Sequence, residues 1–398
     1  MTGMWDWHDA QGLSRVINVS GTMTGLGASV TAAPVQQAVA AAMGRFVKMH
    51  ELQASASEVI ARLTGAEAGF MTASASAGVS LSLAGCMTGL NPGAAEALPR
   101  DPGQTPNVVV QMGHLCGYGA PISQAVELTG GAVRSIGQST LCTDYALEAA
   151  LDETVAAALY VVSHHVVHYG QIPLRRFAEI CHARGVPVVV DAASEYDLRG
   201  FLAAGADIVI YSGHKFLGGP TSGIVAGRRD LVRAGYLQNI GIGRGMKIGK
   251  ESIAGAIAAL EAWETRDHDG IRARERAALD LWTGALAGID GVAARIVPDP
   301  TGNPLDRLEV HVDAARLGAG AGSVAGLLAS RDPAIIVRDH EVELGYFQLD
   351  PCNLLPGQAE IVAEALVTAL SDKAGLAQAA PVDARNGGVA GYLNWGAV

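Results

Sequence analysis

Two hydrophobic rhythms divide the chain. Between about residues 107 and 213, short continuous apolar runs such as VVV at 108–110, AALYVV at 157–162, VVV at 188–190 and IVIY at 208–211 alternate with helical stretches. Strands that are apolar throughout are covered on both faces, so this rhythm predicts an α/β large domain built on a mostly parallel sheet. Helices are expected over 34–63, with Pro34 in a first turn, near 120–129, and over 144–152, 173–184, 197–203, 250–266 and 270–288. The stretch GAEAGFMTASASAGVSLSLAGCMTG at 65–89 reads as a strand, a small-residue turn and an apolar helix, and the Pro/Gly-rich 91–107 as a loop. From about 290 the pattern alternates, in RLEVHVD and in IIVRDHEVELGYFQLD, as antiparallel strands do, and a helix follows at 357–371. The expected organisation is an N-terminal arm (1–30), a large domain (31–268) and a smaller α+β C-terminal domain (269–398), with 380–398 loosely held.

Composition narrows the function classes. The 398 residues are 49% hydrophobic and 17% charged, include 50 glycines and carry a formal net charge of −11. No basic stripe offers itself to nucleic-acid phosphates, so no nucleic-acid partner is expected. Cys86, Cys116, Cys142, Cys181 and Cys352 show no CxxC spacing and read as reduced thiols. The N-terminus lacks the basic and apolar segments of a signal peptide, and no apolar run reaches the roughly 20 residues of a membrane span. A cytoplasmic protein without a membrane partner is expected.

The chemistry concentrates in VVVDAASEYDLRGFLAAGADIVIYSGHKFLGG, residues 188–219. In a parallel sheet, ligands gather at the carboxyl ends of the strands. Asp191 ends one strand and Lys215 follows the end of the next, 24 residues on, so both side chains can face one pocket. One reading is a buried ion pair, which costs desolvation and is rarely needed for stability. The other is catalytic. A desolvated lysine has a lowered pKa, and its neutral amine forms a Schiff base. The acid then holds a protonated ring nitrogen, as pyridoxal phosphate requires to act as an electron sink.

These motifs, together with GIGRGMKIGKESIAGAIAALEAW at 241–263, resemble the fold-type-I pyridoxal-phosphate enzymes. The resemblance is to the branch shared by selenocysteine synthase and D-glucosaminate-6-phosphate ammonia-lyase-like proteins, and it runs from INVSGTMTGLGAS to LLPGQAEIVAEAL. It implies that Ser74, Ser76, Ala77 and Gly78 form the phosphate loop, the alternative being an ordinary strand–helix turn. Ser212 and His214 are further phosphate ligands. His114, or else Tyr118, offers a face to the pyridine ring, unless His114 is only a hydrogen-bonding residue. Ser163 or His164 lies near the cofactor 3′-oxygen. His168 is a proton donor to substrate or a loop residue. The spacing H-H-x-x-H at 164–168 invites a metal, but adjacent positions of an extended segment point apart, and no metal is expected. Arg338 holds the substrate carboxylate, unless it is a solvent-facing strand residue. Arg244 and Lys247, with Lys250, bind an acidic substrate group, reach a neighbouring subunit, or form a solvated face.

The reading that follows is a lyase. Lys215 carries the cofactor and removes the α-proton of a small hydroxy amino acid, Asp191 stabilises the charge that develops, and elimination gives a 2-oxo acid and ammonia. Aldol cleavage and racemisation share the first half of this chemistry. A selenium or sulfur transferase is disfavoured by the acidic charge and the short stretch before INVSGT. A non-catalytic pyridoxal-phosphate-binding protein is disfavoured because both Asp191 and Lys215 are present. A homodimer or larger homo-oligomer is expected, with Arg244 or Lys247 near the partner's site.

Overall fold

The computed structural model describes residues 5–396. Among them are twelve strands: β1 (Val16–Val19), β2 (Ala68–Thr72), β3 (Asn107–Gln111), β4 (Ala132–Ile136), β5 (Val155–Val161), β6 (Val188–Asp191), β7 (Ile208–Ser212), β8 (Gly223–Gly227), β9 (Val292–Pro298), β10 (Asp306–Val312), β11 (Ala334–Val337) and β12 (Tyr346–Leu349). The chain divides into two compact units, residues 29–266 and residues 5–28 with 267–396.

The first unit is built on a seven-stranded sheet of order β2-β8-β7-β6-β5-β3-β4. Only β8 runs against its neighbours, so the other six strands end on the same side. Registers Val161↔Asp191↔Ile210 and Ser212↔Gly223↔Thr72 place the ends of β5, β6, β7 and β2 along one edge. The helix Ala75–Thr88 lies flat on one face and is buried at every position from Ala77 to Gly85. Glycines allow that approach. A Cβ on Gly78 would meet Ile210 at 3.0 Å, and one on Gly85 would meet the Gly235 amide at 2.5 Å. The opposite face is covered by Met49–Thr64, Leu174–His182 and Lys250–Thr265, with Ile60, Phe177 and Leu260 fully buried.

The second unit holds a three-stranded antiparallel sheet, β12-β10-β9, and a two-stranded parallel one, β1-β11. Its core surrounds Trp282, whose indole nitrogen donates to the Ala359 carbonyl at 2.9 Å.

Four details differ from the sequence reading. The stretch 91–107 contains a helix, Pro92–Ala97. Its proline stands in the first turn, where no amide is needed, behind an Asn91 cap that accepts from the Ala94 amide. The run 335–350 is not one alternating element: a 3-10 turn at Val342–Leu344 separates β11 from β12. Part of the expected N-terminal arm is strand β1, paired in parallel with β11 from Val16↔Ala334 to Val19↔Val337. The boundaries between units fall at 28/29 and 266/267. The beginning of the arm, residues 1–4, and residues 397–398 lie outside the described residues.

Candidate active site

The carboxyl edge of the seven-stranded sheet collects most of the polar residues singled out above. β6 ends in Asp191, whose side chain accepts one hydrogen bond among the described residues, from the Ala193 amide at 3.2 Å. Burial raises the Asp191 pKa, and the nearby Lys215 charge offsets this only in part. β7 runs through Ser212 into the turn that carries Lys215, whose amine donates to the Ser194 hydroxyl at 2.5 Å. Burial pushes the Lys215 pKa down, against the pull of Asp191 and Glu195. Burial thus weakens the charged form of both the amine and the acid, each offset in part by the other's charge.

The turn between β2 and the following helix supplies small residues. The Ser74 hydroxyl caps that helix by accepting from the Ala77 amide at 3.1 Å, which engages both residues locally. Ser76 shares a 2.8 Å hydrogen bond with the Tyr118 hydroxyl. Gly223 has no room for a side chain, because a Cβ would sit 2.2 Å from the Ser74 carbonyl. From the adjacent strand end, the Ser212 hydroxyl and His214 Nδ1 are 3.1 Å apart. A fourteen-residue helix N-terminus with serine hydroxyls following β2 and ending β7, the two strands that flank β8, is a donor set suited to a phosphate dianion.

His114 lies beneath this edge. It is 2% exposed, and its Nδ1 accepts the Val161 amide at 3.2 Å, which places any ring proton on Nε2. Tyr160 meets the ring edge-on at 4.5 Å. Burial, with the His168 charge as a smaller cause, lowers the His114 pKa to about 4, so the ring is neutral at physiological pH. Tyr118 is the more open aromatic, 37% exposed, and close enough to feel the Asp191 charge. After β5, the Ser163 hydroxyl accepts the His165 amide at 3.2 Å, the His164 and His165 rings stand 3.8 Å apart, and His168 is exposed. Among the described residues no group of three His, Cys, Asp or Glu side chains could hold a metal ion.

Four of the basic residues singled out above lie in or beside other elements. Arg338 belongs to the second unit, where it is 7% exposed with no hydrogen-bond partner for its Nε among the described residues. Burial, and then the neighbouring Arg307 charge, lowers its pKa. Arg244 and Lys247 are exposed on and just after a 3-10 turn, Ile242–Met246, and Lys250 instead donates to the carbonyls of Met43 and Arg45. The sequence reading overlooked Ser194 and Glu195 as separate contributors. Their only signal was their place within four residues of a strand-end acid.

The donor set fits pyridoxal phosphate: a lysine with a depressed pKa, a strand-end acid with room for a ring-nitrogen partner, and a hydroxyl-rich helix N-terminus. The fold and this site define a fold-type-I pyridoxal-phosphate-dependent enzyme. More narrowly, the chain belongs to the L-seryl-tRNA selenium transferase (SelA) family, whose model matches residues 16–345. It is 39% identical to a D-glucosaminate-6-phosphate ammonia lyase from Salmonella typhimurium, over 89% of this chain and 95% of that one. It is also 36% identical to a 5'-C-glycyluridine monooxygenase-decarboxylase from Streptomyces sp., over 92% of each. A solved structure of D-glucosaminate-6-phosphate ammonia-lyase superposes with a TM-score of 0.84 at 37% identity, covering 94% of this chain and all of that one. No helix among the described residues is long and apolar enough to cross a membrane.

Proposed function

We propose that this enzyme is a lyase acting on a 2-amino-3-hydroxy acid, which it converts to a 2-oxo acid and ammonia. The observation that carries the reading is the pairing of Lys215 with Asp191 at adjacent strand ends, in a chain 39% identical to an ammonia lyase. That relative's named substrate, D-glucosaminate 6-phosphate, is itself a 2-amino-3-hydroxy acid, and a sugar acid of this kind is the first compound to try.

Bound at this site, pyridoxal phosphate supplies an electron sink for negative charge at the substrate α-carbon. Asp191 accepts a hydrogen bond from the ring nitrogen and keeps a proton there. Ser76, Ser212 and His214 hold the phosphate together with the helix N-terminus at Ser74–Gly78. Ser163 or His164 borders the 3′-oxygen. His114, or else the more exposed Tyr118, would offer a face to the ring. Lys215 would be the residue that holds the cofactor, and its amine, when free, would take the substrate α-proton onto Nζ. His168 would give a proton to the β-hydroxyl as it leaves as water, the proton held on Lys215 would pass to the β-carbon, and a water molecule would release the ammonia. Arg338, with its buried and incompletely bonded guanidinium, suits the substrate carboxylate. Arg244 and Lys247 suit a distal acidic group, in the same protomer or in a partner of a homo-oligomer. The substrate is a small molecule rather than a tRNA, and the enzyme works in the cytoplasm.

The 36% identity to a monooxygenase-decarboxylase supports a second reading, oxygen-dependent loss of carbon dioxide from an amino acid. A panel of D- and L-hydroxy amino acids, sugar amino acids included, tests both. Ammonia and a 2-oxo acid formed equally with and without air support the lyase. Carbon dioxide formed only in air supports the second reading, an aldehyde an aldolase, and inversion alone a racemase.

A further inference from the structure

The turn that carries Lys215 closes on itself through two backbone bonds, from the Gly219 amide to the Gly213 carbonyl (2.7 Å) and from the Gly218 amide to the Lys215 carbonyl (3.0 Å). Gly218 reverses the chain at φ +71°, where other residues are strained. The carbonyls of His214, Phe216 and Leu217 are left for other partners, and two distant side chains take them. The Ser29 hydroxyl donates to the His214 carbonyl at 2.6 Å. The Arg266 guanidinium donates through its two terminal nitrogens to the carbonyls of Phe216 (2.8 Å) and Leu217 (3.0 Å). Arg266 is itself held in place, 4.7 Å over the Trp263 ring. Trp263 meets Tyr196 at 5.1 Å, and Tyr196 meets Phe216 at 4.2 Å. The carbonyls on either side of Lys215 are therefore fixed from outside the turn. Ser29 and Arg266 are also the first and last residues of their unit, so the chain enters and leaves it at the two clamps.

We propose that Arg266 and Ser29 are positioning residues for Lys215, setting where its Nζ stands relative to Asp191. The inference rests on the reading of Lys215 as the cofactor-bearing residue. A planar fork across two consecutive carbonyls fixes their direction as well as their distance, whereas a lysine in its place would offer rotatable donors on a flexible stem and fix the direction less well. Nζ lies at the end of a long side chain, so a small rotation of the turn displaces it by a large fraction of the tolerance that proton transfer allows.

The experiment uses holoenzyme carrying Arg266→Met, Arg266→Lys or Ser29→Ala, with Glu264→Gln as control for a surface ion pair on the same helix. Each is reduced with borohydride and mapped to locate the pyridoxyl label, titrated with pH through the cofactor absorbance, assayed, and melted. The label is expected on Lys215 throughout. Arg266→Met should move the spectroscopic midpoint by about one pH unit, because that midpoint reports the surroundings of Nζ. Its kcat should fall roughly 10- to 100-fold with KM within about threefold. Ser29→Ala should shift both in the same direction by less, Arg266→Lys should fall between, and Glu264→Gln should match the wild type. A lowered melting temperature with midpoint and kcat unchanged in the folded variants would overturn the proposal, since the clamps would then serve stability alone. If Arg266→Met does not fold, an unchanged midpoint in Ser29→Ala overturns it equally. A wild-type label on another lysine refutes the reading of Lys215, and the inference falls with it.

Discussion

Asp191 and Asp207 stand at opposite ends of neighbouring strands of one sheet, and their surroundings differ in kind. Asp207, just before β7, accepts the Val188 amide and His182 Nε2, each at 2.8 Å, and the Arg228 guanidinium at 3.1 Å. Asp191, closing β6, has the Ala193 amide as its single side-chain hydrogen-bond donor among the described residues, and burial has raised its pKa. The first acid is saturated by its own fold and ties two helices and two strands together. The second has fewer donors, at the edge proposed to hold the cofactor. Leaving a buried acid with few donors costs stability, so the contrast between these two aspartates supports a functional role for Asp191 and a structural one for Asp207.

Substitutions should separate the two ends. Lys215→Ala is expected to abolish turnover, a loss of at least about ten-thousandfold, and to leave no borohydride-fixed pyridoxyl group on the protein. Asp191→Asn should keep the fold and the cofactor but lose on the order of a thousandfold in kcat/KM, about 4 kcal/mol of transition-state stabilisation. Asp207→Asn should do the reverse: it weakens three hydrogen bonds and lowers stability by about 3 kcal/mol, read by urea unfolding, with kcat near normal in the folded fraction.

The pH dependence of the cofactor-free protein sharpens the contrast. An acid whose pKa is raised on folding binds its proton more tightly in the native state, so stability falls as pH climbs from the ordinary aspartate range through the folded value. Removing the charge removes that loss. Above that range, cofactor-free Asp191→Asn should melt higher than the wild type, whereas Asp207→Asn should melt lower. The smallest effect belongs to a surface pair with no part in either end. Glu264→Gln, which breaks the exposed contact with Arg62, should change stability by no more than about 0.5 kcal/mol and leave the rate alone.

The sequence disclosed this asymmetry in part. The continuous valine runs marked the parallel strands, and an acid and a lysine at consecutive strand ends pointed to one pocket, because strand-end position follows from local pattern. Pairing between distant segments leaves no local trace. Strand β1 looked like part of an arm because nothing in INV says that its partner is Ala334–Val337, more than 300 residues away. The Pro92 helix was hidden by reading proline as a breaker when it stood in a first turn. Ser194 at the lysine amine, and Ser29 and Arg266 at the lysine turn, depend on side-chain geometry that no periodicity encodes.

The central claim is that Asp191, unlike Asp207, is held for the pyridine nitrogen of the cofactor. The most direct measurement is the ¹⁵N chemical shift of pyridoxal phosphate labelled at that nitrogen and bound to the wild type, Asp191→Asn and Asp207→Asn. The account predicts a protonated nitrogen in the wild type and in Asp207→Asn, and a deprotonated one in Asp191→Asn. The same shift in all three proteins would contradict it.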